Sequence, residues 1–177
     1  SEYTEEMINE ALRSQNPLEV VPSMDTDGHG TFIASVAAGN ADLEHRFIGA
    51  APEATLAVVK LKPAKAYLKD FYVIRQDAKC FQENDIMLAM KYINDLARKR
   101  NMPLVLCIAL GTNLGGHNGT SLLSNMLDAY SSVLNRSVVI SAGNGAVHRH
   151  HFSRQLGSMD ETVDAEIRVE EGVEGFV

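Results

Sequence analysis

Hydrophobic residues recur along the chain in two rhythms, a helical stagger and short unbroken runs. Tyr3, Met7, Ile8 and Leu12 make a partial apolar face beside Thr4, Glu5 and Glu6. A hydroxyl cap followed by acids at the positive end of the dipole predicts a helix starting at Thr4. Pro17 and Pro22 bracket an irregular stretch. From Gly30 the residues TFIASVAAG are small and apolar, which predicts a closely packed helix ending at Gly39. TLAVVKL, residues 55 to 61, is a short apolar run rich in β-branched residues and reads as a buried parallel strand. Residues 62 to 82 have no clean period and read as an inserted loop or short helix. Between 84 and 100, Ile86, Met90, Ile93 and Ala97 form one stripe with Ala89 and Leu96, a strong helix. Asn84 or Asp85 can cap it, and Arg98, Lys99 and Arg100 complement its negative end. PLVLCIAL, 103 to 110, reads as a second buried strand, residues 120 to 135 as another helix, and SVVISAGN, 137 to 144, as a third strand entering a Gly-Asn turn.

Three strands separated by two helices predict an α/β fold, a parallel sheet with right-handed crossovers. Sites in such sheets form at the carboxyl ends of the strands, where Gly111 and Asn144 fall. From Ser158 the sequence becomes acidic and alternating, as in an antiparallel strand pair. This divides the chain into residues 1–157, with an irregular insertion at about 62–82, and residues 158–177, the start of a β-rich inserted subdomain.

Composition narrows the function. The chain has 177 residues, 45% of them hydrophobic, enough to bury a core. A net charge of −7 disfavours a nucleic-acid partner, which needs a basic face. No apolar stretch is long enough to span a bilayer, so no membrane partner is expected. The opening SEYTEEMINEAL is acidic and amphipathic, unlike a signal peptide. Two cysteines make no disulfide framework. Cys107, inside an apolar run, reads as a buried small hydrophobe, while Cys80 lies in a polar stretch.

Several short stretches invite chemistry. Asp25-Thr26-Asp27-Gly28-His29-Gly30 starts like a calcium loop, but His29 stands where an oxygen ligand belongs and Val36 where the bidentate glutamate belongs. GTNLGG matches no phosphate-binding pattern. His148, His150 and His151 have no Cys, Asp or Glu ligand nearby and read as a solvated loop, so no metal and no cofactor are expected. Gly119-Thr120-Ser121 reads as a helix start with Thr120 or Ser121 as its cap. In GHGT, a histidine flanked by glycines at a helix start leaves room for close backbone approach by a substrate.

DGHGTFIASVAAG, residues 27 to 39, resembles the histidine box of the subtilases, the subtilisin-like serine peptidases. His29, Gly30, Thr31, Ala34 and Ala38 match its pattern, while Phe32 replaces the usual second histidine and Ser35 the usual glycine. IGAAPEATLAVVKL at 48–61 is similar to the family's G-V-A-P-x-A-x-L strand, Ala109-Leu110-Gly111 to its S-L-G segment, and Ser141-Ala142-Gly143-Asn144 to its A-A-G-N segment. EYTEEMINEAL, GHGTFIASVAAGN and the insertion with CFQENDIML resemble the Csp-type germination proteases of spore-forming bacteria, which carry a jelly-roll insertion after the oxyanion asparagine.

This resemblance implies a subtilisin-like parallel sheet with helices on both faces, and acyl transfer from a peptide or protein substrate. His29 would be the general base and Asn144 the oxyanion donor. Ala109, Leu110 and Gly111 would pair with the substrate, and Ala142 and Gly143 would line the pocket for the residue before the cleaved bond. It points to a secreted, cell-envelope or spore-associated protein. The family order is Asp, His, Ser. No aspartate occurs in residues 1 to 24, and no Gly-Thr-Ser-Met/Ala box follows Asn144. The expectation is the central part of a subtilase, inactive alone, with exposed sheet edges that favour homo-oligomer contacts. A subtilase that has lost catalysis and serves as a binding or ligand-sensing module is the alternative.

Overall fold

The computed structural model describes residues 1–169 and divides the chain into two compact units, Ser1–Val58 and Val59–Val177. No helix among the described residues is long and apolar enough to cross a membrane.

The N-terminal unit is helical. α1, Glu5–Arg13, starts as its sequence predicts: the Thr4 hydroxyl accepts from the Met7 amide at 3.5 Å, and Glu5 and Glu6 occupy the first turn. Proline at its first position starts the four-residue α2, Pro17–Val20, inside the stretch expected to be irregular. α3, His29–Ala38, ends where Gly39 was expected to stop it. The chain then returns across the last turn of α3. The amides of Gly49, Ala50 and Ala51 donate to the carbonyls of Gly39, Val36 and Ala37 at 2.9, 3.0 and 2.8 Å. These bonds satisfy carbonyls that a helix end leaves without partners. They require bare backbone: a Cβ on Gly49 would lie 2.4 Å from the Gly39 nitrogen and 2.8 Å from the Ser35 oxygen. The small residues of α3 and of the IGAA segment therefore serve the same contact.

The run at 55–61 corrects the sequence expectation. It forms no strand among the described residues, and Leu56 and Val58 are exposed. A strand exists only through a ladder partner, and this run pairs with neither strand of the sheet. The division between the units falls inside it.

In the second unit the insertion is a closed excursion. Pro63 and Phe81 form an isolated antiparallel bridge, and the Ala64 amide donates to the Cys80 carbonyl at 2.9 Å. Within it lies the short α4, Ala66–Phe71. Its Lys69 is buried and donates to the carbonyls of Gln76 and Ala78 at 2.8 and 2.7 Å. A cation thus closes the loop from inside by occupying carbonyls that would otherwise be orphaned.

α5, Glu83–Lys99, follows Gln82 at the cap position, so Asn84 and Asp85 lie inside the helix and do not cap it. Glu83 and Asp85 still face the positive end of its dipole, and Lys62 pairs with Asp85 at 3.0 Å. β1, Leu104–Ile108, runs parallel to β2, Arg136–Ile140, with Leu104 opposite Arg136 and Ile108 opposite Ile140. α6, Leu122–Ser131, makes the crossover between them, capped by Ser121 as expected. The Ser121 hydroxyl accepts from the Ser124 amide at 3.0 Å, and Glu83 on α5 accepts from the Leu123 amide at 3.1 Å. Arg136 ties the amino end of β2 to α5, donating to Asn94 and to the Met102 carbonyl, each at 3.1 Å.

The sheet of the described residues thus has two strands rather than the three expected. Met90 and Leu106 are its buried apolar anchors. On the opposite face Val105, 68% exposed, and Val139, 53% exposed, stand beside Cys107 and Ser137. Cys107 is therefore exposed, not buried as expected, because strand residues alternate faces and α5 and α6 cover the face of Leu106. The expected β-rich start at 158–177 shows no strand through residue 169, and residues 170–177 lie outside the described residues.

Candidate active site

The candidate residues fall in two places. The first is the entrance to α3. Gly28 occupies the cap position at φ +84°, in the left-handed region that favours glycine, and His29 is the first helical residue. Its side chain is exposed. A glycine cannot cap with a side chain, and Asp25 does so from three residues earlier. Its Oδ1 accepts from the amides of Asp27 at 3.0 Å and Gly28 at 2.9 Å. Its Oδ2 accepts from the Thr31 amide at 2.9 Å and the Thr31 hydroxyl at 2.8 Å.

These donors, led by the Gly28 amide and then those of Thr31 and Asp27, hold the Asp25 carboxyl well below the usual carboxylate range. A carboxylate offers about four lone-pair sites. All four are taken here, so Asp25 organises the turn around His29 and keeps no lone pair for a direct bond to its ring.

The second place is the carboxyl edge of the sheet. Ala109, Leu110 and Gly111 continue from β1, and Ser141 to Asn144 continue from β2. The two segments are joined. The Ser141 amide donates to the Ile108 carbonyl at 3.1 Å, and the Ser141 hydroxyl to the Leu110 carbonyl at 3.4 Å. Gly143 turns the chain at φ +78°, and a Cβ there would meet nothing within 4 Å, so conformation and not space requires glycine. Asn144 precedes a 3₁₀ turn, Gly145–His148, without spending its side chain on a cap, and it is exposed. Gly111 is also open, with nothing within 4 Å of an added Cβ. The structure thus brings Ala109, Leu110, Gly111, Ala142, Gly143 and Asn144 to one sheet edge, while His29 belongs to the N-terminal unit.

Loops following these segments carry His117, His148, His150 and His151. His148 and His150 stack with centroids 5.4 Å apart, Asn113 Nδ2 donates to His150 Nδ1 at 3.0 Å, and His117 Nε2 donates to the Asn113 carbonyl at 2.8 Å. Among the described residues, no group of three or more His, Cys, Asp or Glu could hold a metal. Ser121 caps α6, which accounts for Gly119-Thr120-Ser121 as a helix start. The role of Asp25 was missed from sequence alone. Its signal was present in Asp-x-Asp-Gly, the pattern of an Asx turn.

The model of the Subtilase family matches residues 9–165. Among solved structures, the CspB protease of Clostridium perfringens is similar, with a TM-score of 0.67 and 32% sequence identity. That match covers 80% of this chain and 28% of the protease, so the chain spans little more than a quarter of that protein. None of the curated proteins matches.

Proposed function

The chain belongs to the subtilase family and has a partial subtilisin-like α/β fold, and from this premise we propose that it supplies the general base and the oxyanion donor of a serine endopeptidase. The observation that carries this reading is the entrance to α3, where an exposed histidine stands at the first helical position inside a fully hydrogen-bonded turn.

In this mechanism a serine attacks the peptide carbonyl. His29 takes the hydroxyl proton and later delivers it to the leaving amine. A triad aspartate orients the imidazole; Asp25, with its lone pairs occupied, is not that group. The Asn144 amide, exposed and uncommitted to a cap, donates to the developing oxyanion. The loss on removing such a donor is about 10²–10³ in rate, a magnitude established for a subtilisin and carried over from it. The Ala109–Gly111 segment adds the substrate as an extended strand, and Ala142 and Gly143 line the pocket for the residue before the cleaved bond. The partner is a peptide or protein substrate, and the uncovered sheet supports contacts between copies.

Of the triad, the 177 residues supply the histidine in the family order. Labelling of the intact protein by a fluorophosphonate probe tests the reading. Wild type is expected to label and His29→Ala to lose the label. A folded wild type that takes up no probe would move the reading to a binding or sensing module.

A further inference from the structure

We propose that Asp25 is a positioning residue for His29, resting on the peptidase reading above: it holds the backbone on both sides of the histidine and so fixes where the imidazole is presented. The hydrogen bonds bracket His29. Two donors to the carboxylate, the amides of Asp27 and Gly28, come from the residues before it. The other two, the amide and hydroxyl of Thr31, come from two residues after it. One oxygen serves each side. The Cα of His29 is thereby suspended between two anchored points.

Two further observations make this a device and not an incidental cap. The anchor lies beneath the backbone: a Cβ on Gly30 would come 3.6 Å from Asp25 Oδ2. In addition, Gly28 is held in the left-handed region next to the histidine, where the chain would otherwise be free to swivel. Asp42 provides the contrast within the same unit. It organises the 42–47 turn by accepting from the His45 amide at 3.1 Å and pairing with the His45 ring at 2.8 Å, and it flanks no candidate residue.

A base displaced by about 1 Å can lose up to about 100-fold in rate. The intact protein would be compared as wild type, Asp25→Asn, Thr31→Val, Thr31→Ser and Asp42→Asn. Fluorophosphonate labelling, peptide kcat and KM, melting temperature and the His29 ring resonance in [13C]histidine NMR would be measured. Asp25→Asn is expected to cut the labelling rate and kcat about 10- to 100-fold with KM within about twofold, and to split or broaden the His29 resonance. Thr31→Val is expected to lose part of the same rate, and Thr31→Ser to restore it. Asp42→Asn is expected to keep the wild-type rate.

A folded Asp25→Asn protein with an unchanged rate and an unchanged His29 resonance would overturn the proposal. So would a loss that Asp42→Asn shares in proportion to melting temperature. If Asp25→Asn does not fold, the Thr31 pair carries the same comparison. If wild type neither labels nor cleaves, the peptidase reading fails, and the His29 resonance alone decides whether Asp25 positions the ring.

Discussion

At the scale of single residues, the turn from Asp25 to Thr31 gathers four hydrogen-bond donors on one side chain. It does so on a carboxylate at the protein surface. Folding lowers the affinity of Asp25 for its proton, so the unfolded chain binds that proton more readily. The stabilising contribution is complete above the ordinary carboxylate range near about pH 4. It disappears as pH falls through the depressed folded value. Thermal melts at a series of pH values are therefore expected to show a steeper acid loss for wild type than for Asp25→Asn below about pH 4. Parallel curves for the two proteins would contradict it. The presence of an Asx turn was legible in Asp-x-Asp-Gly. The capture of Thr31 was not, because that amide becomes an orphan only once the helix begins at His29.

Elements were legible to the extent that their causes are local. Thr4 and Ser121 mark helix starts by chemistry within three residues, and both cap in the structure. Gly39 ends α3 for an equally local reason. The 55–61 run failed as a strand because its apolar, β-branched character is necessary for a ladder but supplies no partner. Cys107 failed because an apolar run says nothing about which face of a sheet a helix will cover. The junction of α3 with the IGAA segment gives a prediction at this scale. A Cβ on Gly49 would meet backbone at 2.4 Å, so Gly49→Ala must displace main chain and not merely a side chain. Its expected cost is about 1–3 kcal/mol by overpacking, read as a lower midpoint in denaturant unfolding followed by helical circular dichroism. An unchanged midpoint would show that this contact yields freely.

For the whole molecule, the decisive quantity is which members of the catalytic set one chain contains. The 177 residues hold His29 and Asn144, the proposed base and oxyanion donor, but no serine box after Asn144. The purified 177-residue chain is therefore expected to leave a fluorogenic peptide uncut under conditions where an ordinary serine peptidase turns it over. Turnover that disappears in His29→Ala would refute this.

What the sequence determined by itself was the family resemblance, the helix boundaries set by caps and glycines, and the two residues, His29 and Asn144, on which the proposed chemistry rests. These rest on residue identity and on neighbours a few positions away. Only the tertiary structure decided that β1 pairs with β2, which face of that sheet is covered, that Ser141 joins the 109–111 segment to the 141–144 segment, and that Lys69 closes the insertion. Each of these is a contact between residues whose side chains and backbone carry no record of their partner, so the choice is made by folding energy and not by composition or spacing.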